Sequence, residues 1–279
     1  MCVVIPCFND GSTVRDAVTS SLAQAPGDLV VVDDGSTDPQ TLVVLDGLRE
    51  TGIRVIRQPN AGPAAARTRG IAETTEPYVM HLDADDMIAP GALHLMASAL
   101  DGDESLSIAW GDIERLGRGG YLRYPKGRSL DPWRITFVNE LVSQSMVRRT
   151  ALEAVGGWPH HDLYEDWDLW MEMAERGFRG RNVGEVTIYY RVGEPGLYQN
   201  ALPHHGATVK RMRHRHAGLF SRRTEARRSA AAGRALKVLW TAIDAVPMPG
   251  TLKRYLLFGA LVLAEPSRRR RRRPPRSSG

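Results

Sequence analysis

The sequence predicts an α/β protein: a mostly parallel central sheet flanked by helices, with a basic helical extension behind it. Three observations carry that prediction. Short apolar runs alternate with helix-patterned segments through the first hundred of the 279 residues. Two of those runs end in crowded carboxylates, Asp33-Asp34 and Asp83-Ala84-Asp85-Asp86. They would stand at the C-terminal edge of the sheet, where open parallel sheets bind ligands. The third observation is charge. Residues 1–199 carry 18 basic and 29 acidic groups, net −11, whereas residues 200–279 carry 19 and 3, net +16. An acidic folded unit therefore runs into a basic attachment region.

Taken in order, Cys2–Cys7 reads as a buried strand. Its two cysteines stand five residues apart, so they face opposite sides and cannot pair, and their spacing suits no metal. That fits a reducing compartment. No secretory pattern opens the chain, so a cytoplasmic location is expected, with peripheral contact at the inner face of the membrane. Residues 12–23 form a helix that Ser12 or Thr13 can cap. Residues 28–32 are the second strand, and Pro39–Glu50 is a helix with Asp38 at its N-cap and Gly52 past its end. A strand at 53–57, a helix at 63–73, a strand at 77–82 and a helix at 90–100 follow. Beyond residue 100 the alternation loosens. Residues 106–114, 120–124 and 141–147 read as strands, 150–155 and 165–176 as helices, and 183–192 as the last strand. From about residue 205 the chain is helical and basic. It ends in six arginines, residues 268–273, within a tail expected to be disordered over 266–279.

Carboxylates this crowded repel one another and usually need a cation. In residues 83–86, two acids separated by one residue can face a single divalent ion, which takes hard oxygen ligands and keeps positions for phosphate oxygens. The alternative is a solvated acidic loop. His81, just before, faces the neighbouring layer and is not read as a ligand. Asp33 can accept a hydrogen bond from a pyrimidine imide, and a neighbouring acid can reach ribose hydroxyls. Equally, Asp34-Gly35 is a turn and Asp38 a cap. The first strand end, Pro6-Cys7-Phe8-Asn9-Asp10, lacks the glycines of a dinucleotide-binding turn, and its aromatic suits contact with a base. An ordinary strand-to-helix turn is the alternative. The third cluster, Glu165-Asp166-Trp167-Asp168, offers a base, or simply an acidic first helical turn beside the helix dipole.

With Gln58-Pro59-Asn60-Ala61-Gly62-Pro63-Ala64-Ala65-Ala66-Arg67 between them, these tracts resemble, over roughly residues 1–195, the family 2 glycosyltransferases, inverting enzymes with the GT-A fold. The resemblance lies in order and spacing: Pro-x-Phe-Asn, Val-Asp-Asp-Gly-Ser-Thr-Asp, Asn-x-Gly-x-Ala-x-Ala-Arg, Asp-x-Asp-Asp, then Glu-Asp. It implies a domain over 1–199, with a nucleotide-sugar half (1–100) and an acceptor half (101–199). It implies a nucleotide-diphosphate sugar donor, usually a uridine one, and an acceptor hydroxyl on a glycan, a lipid carrier or a small molecule. Pro6, Phe8, Asn9 and Asp33 would lie at the base, with Asp34 nearby. Asn60 and Gly62 would form the loop after the third strand. Arg67 would open toward the diphosphate or brace the acidic loop. Asp83 and Ala84 would lie near the ribose and the metal. Asp85 would be the main ligand to Mn²⁺ or Mg²⁺, with Asp83 and Asp86 in support. Asp166 would be the base, with Glu165 beside it. Trp158, Trp167 and Trp170 would either stack on acceptor sugars or belong to the core. Two departures stand out. Thr68 replaces the Asn that often follows the Ala-Arg pair, and the His often found after a Tyr-Arg pair is missing beyond Tyr190-Arg191. His204 or His205 are its candidate substitutes.

In residues 200–265, Leu236, Leu239, Trp240 and Ile243 recur at helical spacing, and 255–264 is nearly all apolar. That run is short of the roughly 20 residues a bilayer span requires. Amphipathic helices lying on an anionic membrane, helped by the arginine tail, are one reading; a helical pair packed on the domain is the other. Nucleic acid is not an expected partner, because no aromatic-studded basic surface accompanies the arginines. A non-catalytic nucleotide-sugar-binding module and a sugar nucleotidyltransferase are the rival functions; the latter would want a glycine-rich first turn.

Overall fold

The computed structural model describes residues 1–117, 120–159, 163–191, 202–265 and 271–273. Its strands are β1 (Cys2–Cys7), β2 (Asp28–Asp33), β3 (Arg54–Arg57), β4 (Tyr78–His81), β5 (Met87–Ile88), β6 (Leu106–Gly117), β7 (Gly120–Tyr124), β8 (Met146–Arg148), β9 (Arg179–Arg191) and β10 (Arg271–Arg273). Helices α1 (Val14–Leu22), α2 (Pro39–Glu50), α3 (Pro63–Ala72), α4 (Ala92–Asp101), α5 (Arg149–Ala154) and α6 (Glu165–Glu175) lie among them. Helices α7 (His205–Arg215), α8 (Ala217–Ser221), α9 (Arg223–Ser229), α10 (Arg234–Ala245) and α11 (Gly250–Ala264) follow.

The sheet runs β10-β7-β6-β8-β4-β1-β2-β3. Its first half, β4-β1-β2-β3, is parallel, as the alternation of strand and helix requires. The second half is antiparallel through β8, β6 and β7, while β9 joins β6 in parallel and β5 in antiparallel pairing. The α/β class and flanking helices match the sequence reading; the parallel character belongs to the first half.

Strand β1 is buried throughout, because helices cover both faces of a parallel sheet. Cys7 joins the core with Val3 and Ile5, whereas Cys2 joins the opposite core with Trp110 and Trp170, so the two thiols do face apart. Helix α3 lies close on β1 because Gly70 has no side chain: a Cβ there would come within 2.3 Å of Val4 Cγ1. Asp38 caps α2 as expected, accepting from the Thr41 amide at 2.8 Å. Thr13 makes no side-chain cap to α1; the Thr13 and Val14 amides instead bond the Asp10 carbonyl. The strand expected over 141–147 forms only at its end, since Gln144 and Ser145 put their side chains to other uses.

The basic region docks on the domain. Trp133, Phe137 and Val138 form a core with Leu236, Trp240, Leu257 and Leu261. Arg134 binds Glu140 at 2.5 Å and Glu265 at 2.6 Å, tying that core to the end of α11. Of the tail, Arg271–Arg273 is described, hydrogen-bonded to β7 as an edge strand rather than disordered.

His216, wholly buried between α7 and α8, fastens the region to α6. Its Nε2 lies 3.0 Å from Asp168, and its Nδ1 lies 3.1 Å from Glu175 and 3.5 Å from Glu172. Burial alone would lower its pKa, but the Asp168 and Glu175 partners raise it above the usual 6.5. The folded state thus prefers the imidazolium, so this contribution is full below about pH 6.5 and is lost as the pH rises through the folded value. His216→Ala leaves Asp168 with Arg215 and Glu175 with the Leu219 amide, and should cost about 2 kcal/mol in urea unfolding. It should also flatten the alkaline fall in stability seen in the parent. An unchanged pH dependence would remove His216 from this role.

Candidate active site

The C-terminal ends of β1, β2 and β4 converge on one edge. At β1, Phe8 is left 44% exposed, an aromatic face beside a polar strand end. Asn9 follows in the left-handed region at φ 61°, where Asn is among the tolerated side chains. Its Oδ1 accepts from the Thr37 and Asp38 amides, at 2.8 and 2.9 Å, so it holds the β2 loop. Pro6 is buried opposite Val32.

At β2, Asp33 is buried and accepts from the Ser36 amide at 2.8 Å and from Arg57 at 2.7 Å. Asp34 accepts from Gln58 Nε2, the Ala61 amide and the Gly62 amide, at 2.8, 3.0 and 2.8 Å, which fastens the loop carrying the exposed Asn60. Gly35 lets that loop close: a Cβ there would meet the Asn60 nitrogen at 2.7 Å, and its φ is +76°.

The acidic tract after β4 is the centre of the site. Asp83 accepts from Arg67 at 2.9 Å and from Gln144 Nε2 at 2.8 Å. Asp86, buried, takes the other Gln144 bond at 2.7 Å and the Arg191 amide at 3.0 Å. Burial, then Asp83 and Asp85, push its carboxyl up to about 9. Burial and Asp83 push Asp85 up to about 6. Burial, with Asp83 beyond it, also raises Asp10. The same three acids, added to burial, lift Tyr190 to about 12. Ala84 is buried in the core between the two faces of the loop.

Arg67 is the hinge of the arrangement. Its guanidinium is 4% exposed and donates at 2.9 Å to Asp83 and at 2.6 Å to Glu165, residues 98 positions apart from Arg67 in the latter case. Burial disfavours its charge, and Asp83 and Glu165 more than offset that, so its pKa is raised. It lies over Trp158, 5.1 Å from the ring. Trp158 in turn meets His81 edge-on at 4.5 Å. Burial and Arg67 hold His81 well below its usual value, so it stays neutral.

Next to Glu165, at the start of α6, Asp166 receives Asn139 Nδ2 at 2.8 Å. Burial, then Glu165, push its carboxyl up to about 6. Trp158 and Trp170 are buried core, so neither offers a face to a sugar. Trp167 is buried too, its Nε1 bonded to the Ile135 carbonyl at 2.7 Å, with its ring stacked on His205. His205 Nδ1 stands 3.2 Å from Tyr164 Oη, on the α6 side, while the residues after Arg191, where the family His would fall, lie outside those described.

Sequence reasoning missed Gln144, Asn139 and Arg57. None sits in a quoted tract: each is one polar residue whose partner comes from a distant segment. Among the described residues, Glu172, Glu175 and His216 are the group close enough to share a metal ion. Their protein partners account for the cluster: Glu172 pairs with Arg176, and Glu175 meets His216 and the Leu219 amide.

A parallel half-sheet with an acidic edge, continued by an antiparallel half that brings a second acidic pair to the same edge, defines a GT-A protein. Solved structures share that fold. TarS of S. aureus, in complex with UDP-GlcNAc, aligns with a TM-score of 0.57 at 19% identity, over 93% of this chain and 71% of that one. A mannosyltransferase of Pyrobaculum calidifontis, in complex with GDP-Man and Mn²⁺, aligns at 0.55 and 20%, over 96% and 81%. The model of glycosyl transferase family 2 matches residues 2–163. The chain belongs to that family. A succinoglycan biosynthesis protein, ExoU of Rhizobium meliloti, is 41% identical over 101 residues, covering 35% of this chain and 30% of that protein. The chain thus matches less than a third of that relative's length.

Proposed function

We propose that the protein inverts an anomeric centre, transferring a sugar from a nucleotide-diphosphate donor of the uridine type to an acceptor hydroxyl, in the synthesis of a polysaccharide, glycolipid or natural-product glycan. One observation carries this reading: a single buried guanidinium, Arg67, joins the acidic tract Asp83–Asp86 to the pair Glu165-Asp166. Donor chemistry and acceptor chemistry therefore share one cleft.

The base end of the donor lies against Phe8, with Asn9 and Asp33 fixing the loops around it and Arg57 standing over Asp33. Asp34 holds the Asn60–Gly62 loop toward the diphosphate. The carboxylates offer the hard oxygen donors a divalent cation takes, and burial, then the neighbouring acids, push Asp85 and Asp86 up. Asp85, with Asp83 and Asp86 beside it, would hold Mn²⁺ or Mg²⁺, which supplies charge neutralisation at the departing diphosphate. Gln144 keeps Asp83 and Asp86 in register. Asp166, fixed by Asn139, takes the acceptor proton as the hydroxyl attacks the anomeric carbon from the opposite face. Positioning both substrates supplies much of the remaining acceleration.

Incubation with UDP-sugars and Mn²⁺ should release UDP, and release should stop when EDTA is added. Asp85→Asn should weaken metal-dependent UDP binding by on the order of tenfold to a hundredfold, since one charged ligand is lost. Calorimetry showing unchanged affinity would take Asp85 out of the metal site. No metal-dependent UDP release from any UDP-sugar would favour a binding module.

The reading extends to the membrane. No helix among the described residues is long and apolar enough to cross one. Yet α11 is apolar on two faces: Leu257, Ala260 and Leu261 are packed inward, while Leu252, Tyr255, Leu256 and Leu263 are exposed, Leu263 by 72%. An exposed apolar row on a helix that also carries Lys253 and Arg254 suits the surface of an anionic bilayer. Replacing both Tyr255 and Leu263 by Ser should cut retention on phosphatidylglycerol vesicles several-fold. Equal pelleting of parent and variant would leave the row without that role.

A further inference from the structure

A cleft of about 240 Å³ lies where the basic region meets Trp167 of α6 and the segment at Phe137. Its lining combines an apolar set, Phe137, Trp167, Met248 and Leu257, with the cations Lys210, Arg213, Lys253 and Arg254. Asp244 is the acid in the lining, and Arg213 at 2.7 Å, Arg223 at 2.6 Å and Lys253 at 3.6 Å already surround it. His205, also in the lining, has its pKa lowered by burial and adds no charge. Three cations, Arg213, Arg223 and Lys253, thus share the one acid of the lining, and Lys210 stands exposed beside them. Buried Arg213 Nε has no hydrogen-bond partner among the described residues. A local excess of positive charge of this kind attracts an anion.

We propose that this cleft binds the phosphate or diphosphate group of the acceptor, with the apolar set taking the chain or ring attached to it. The inference rests on the transferase reading and names its substrate class. Position supports it. Trp167 follows Asp166 directly, Phe137 stands two residues before the Asn139 that holds Asp166, and His205 meets Tyr164 at the start of α6. An anion anchored among the cations would leave its attached hydroxyl near the base. The exposed row of α11 shares its helix with Lys253 and Arg254, so an amphiphilic acceptor can reach the cleft along that helix. The volume suits a head group rather than a whole drug-sized ligand.

Calorimetry in EDTA, which disables the metal-assisted donor site, tests it. The intact protein is titrated with inorganic pyrophosphate and with farnesyl diphosphate, then Lys210→Glu, Lys253→Glu and, as a matched charge change outside the cleft, Arg228→Glu. Binding should be measurable for the parent, weaken at least tenfold in the first two variants, and stay within twofold in the third. Tighter binding of farnesyl diphosphate than of pyrophosphate supports a lipid-linked acceptor; equal binding supports the anion site with a free phosphate as its source. No binding by the parent, or an equal loss in Arg228→Glu, overturns the proposal. UDP titrated with Mn²⁺ is read separately: its failure to bind would sink the donor reading and leave the anion site standing.

Discussion

Asp166→Asn is expected to lower kcat by about a thousandfold, within the range a lost general base imposes, while donor affinity stays within about twofold. The substitution keeps the shape and the Asn139 contact but removes the group that accepts the proton. Asp166 is the right acid for the role, since burial and Glu165 raise it to about 6. A base near neutrality accepts a proton more readily than an ordinary carboxylate and is still ionised at pH 7. The sign of the pH dependence follows. Below pH 6 Asp166 is protonated and transfer slows; above it, the ionised form dominates and kcat reaches a plateau. At saturating Mn²⁺, which would hold Asp85 ionised, the acid limb of the parent profile should therefore sit near pH 6 and vanish from the residual rate of the variant. A variant with near-normal turnover and the same limb would put the base elsewhere. Glu165 is a poor substitute, because its carboxylate is committed to Arg67 at 2.6 Å.

How far the chain declared this arrangement in advance depends on the kind of residue. Strands β1, β2 and β4 were legible because each is an apolar run buried on both faces, punctuated by Asp, Gly and Pro at its end. The acidic tracts were legible because several like charges in a row after a buried strand have few structural uses. The strand at 141–147 was misjudged beyond its last residues, since apolar periodicity says nothing about Gln144, whose amide goes to Asp83 and Asp86. Those bonds join residues 61 and 58 positions apart, and no local pattern encodes them. The tryptophans left two readings open, sugar platform or core, because composition does not say which face is covered. Trp158 lies under Arg67 and against His81. The basic helices could be read equally as docked or as membrane-bound. The decisive feature, a buried His216 between acids of α6, depends on three-dimensional proximity alone.

Arg67→Met should be the most damaging substitution for both fold and turnover. The side chain is nearly inaccessible, and its loss removes the one cation shared by Asp83 and Glu165. Breaking a buried pair by deleting one partner costs about 3 kcal/mol, because the remaining charge is left in a poor dielectric. Asp83 is 31% exposed, so solvent relieves much of its share, and most of the loss comes from Glu165, which is 15% exposed. Urea unfolding should register that loss, and turnover should drop on the order of a hundredfold or more as the two acidic clusters separate. Arg67→Lys separates the two effects. A lysine restores the charge and recovers part of the stability, but its compact ammonium lacks the planar fork that reaches both carboxylates at once. It also forfeits the flat contact over Trp158. Stability restored with turnover still depressed is therefore the expected pattern for lysine. Full activity in Arg67→Lys would show that the clusters need only a positive charge between them, and that the bridge from Asp83 to Glu165 does not set the geometry of transfer.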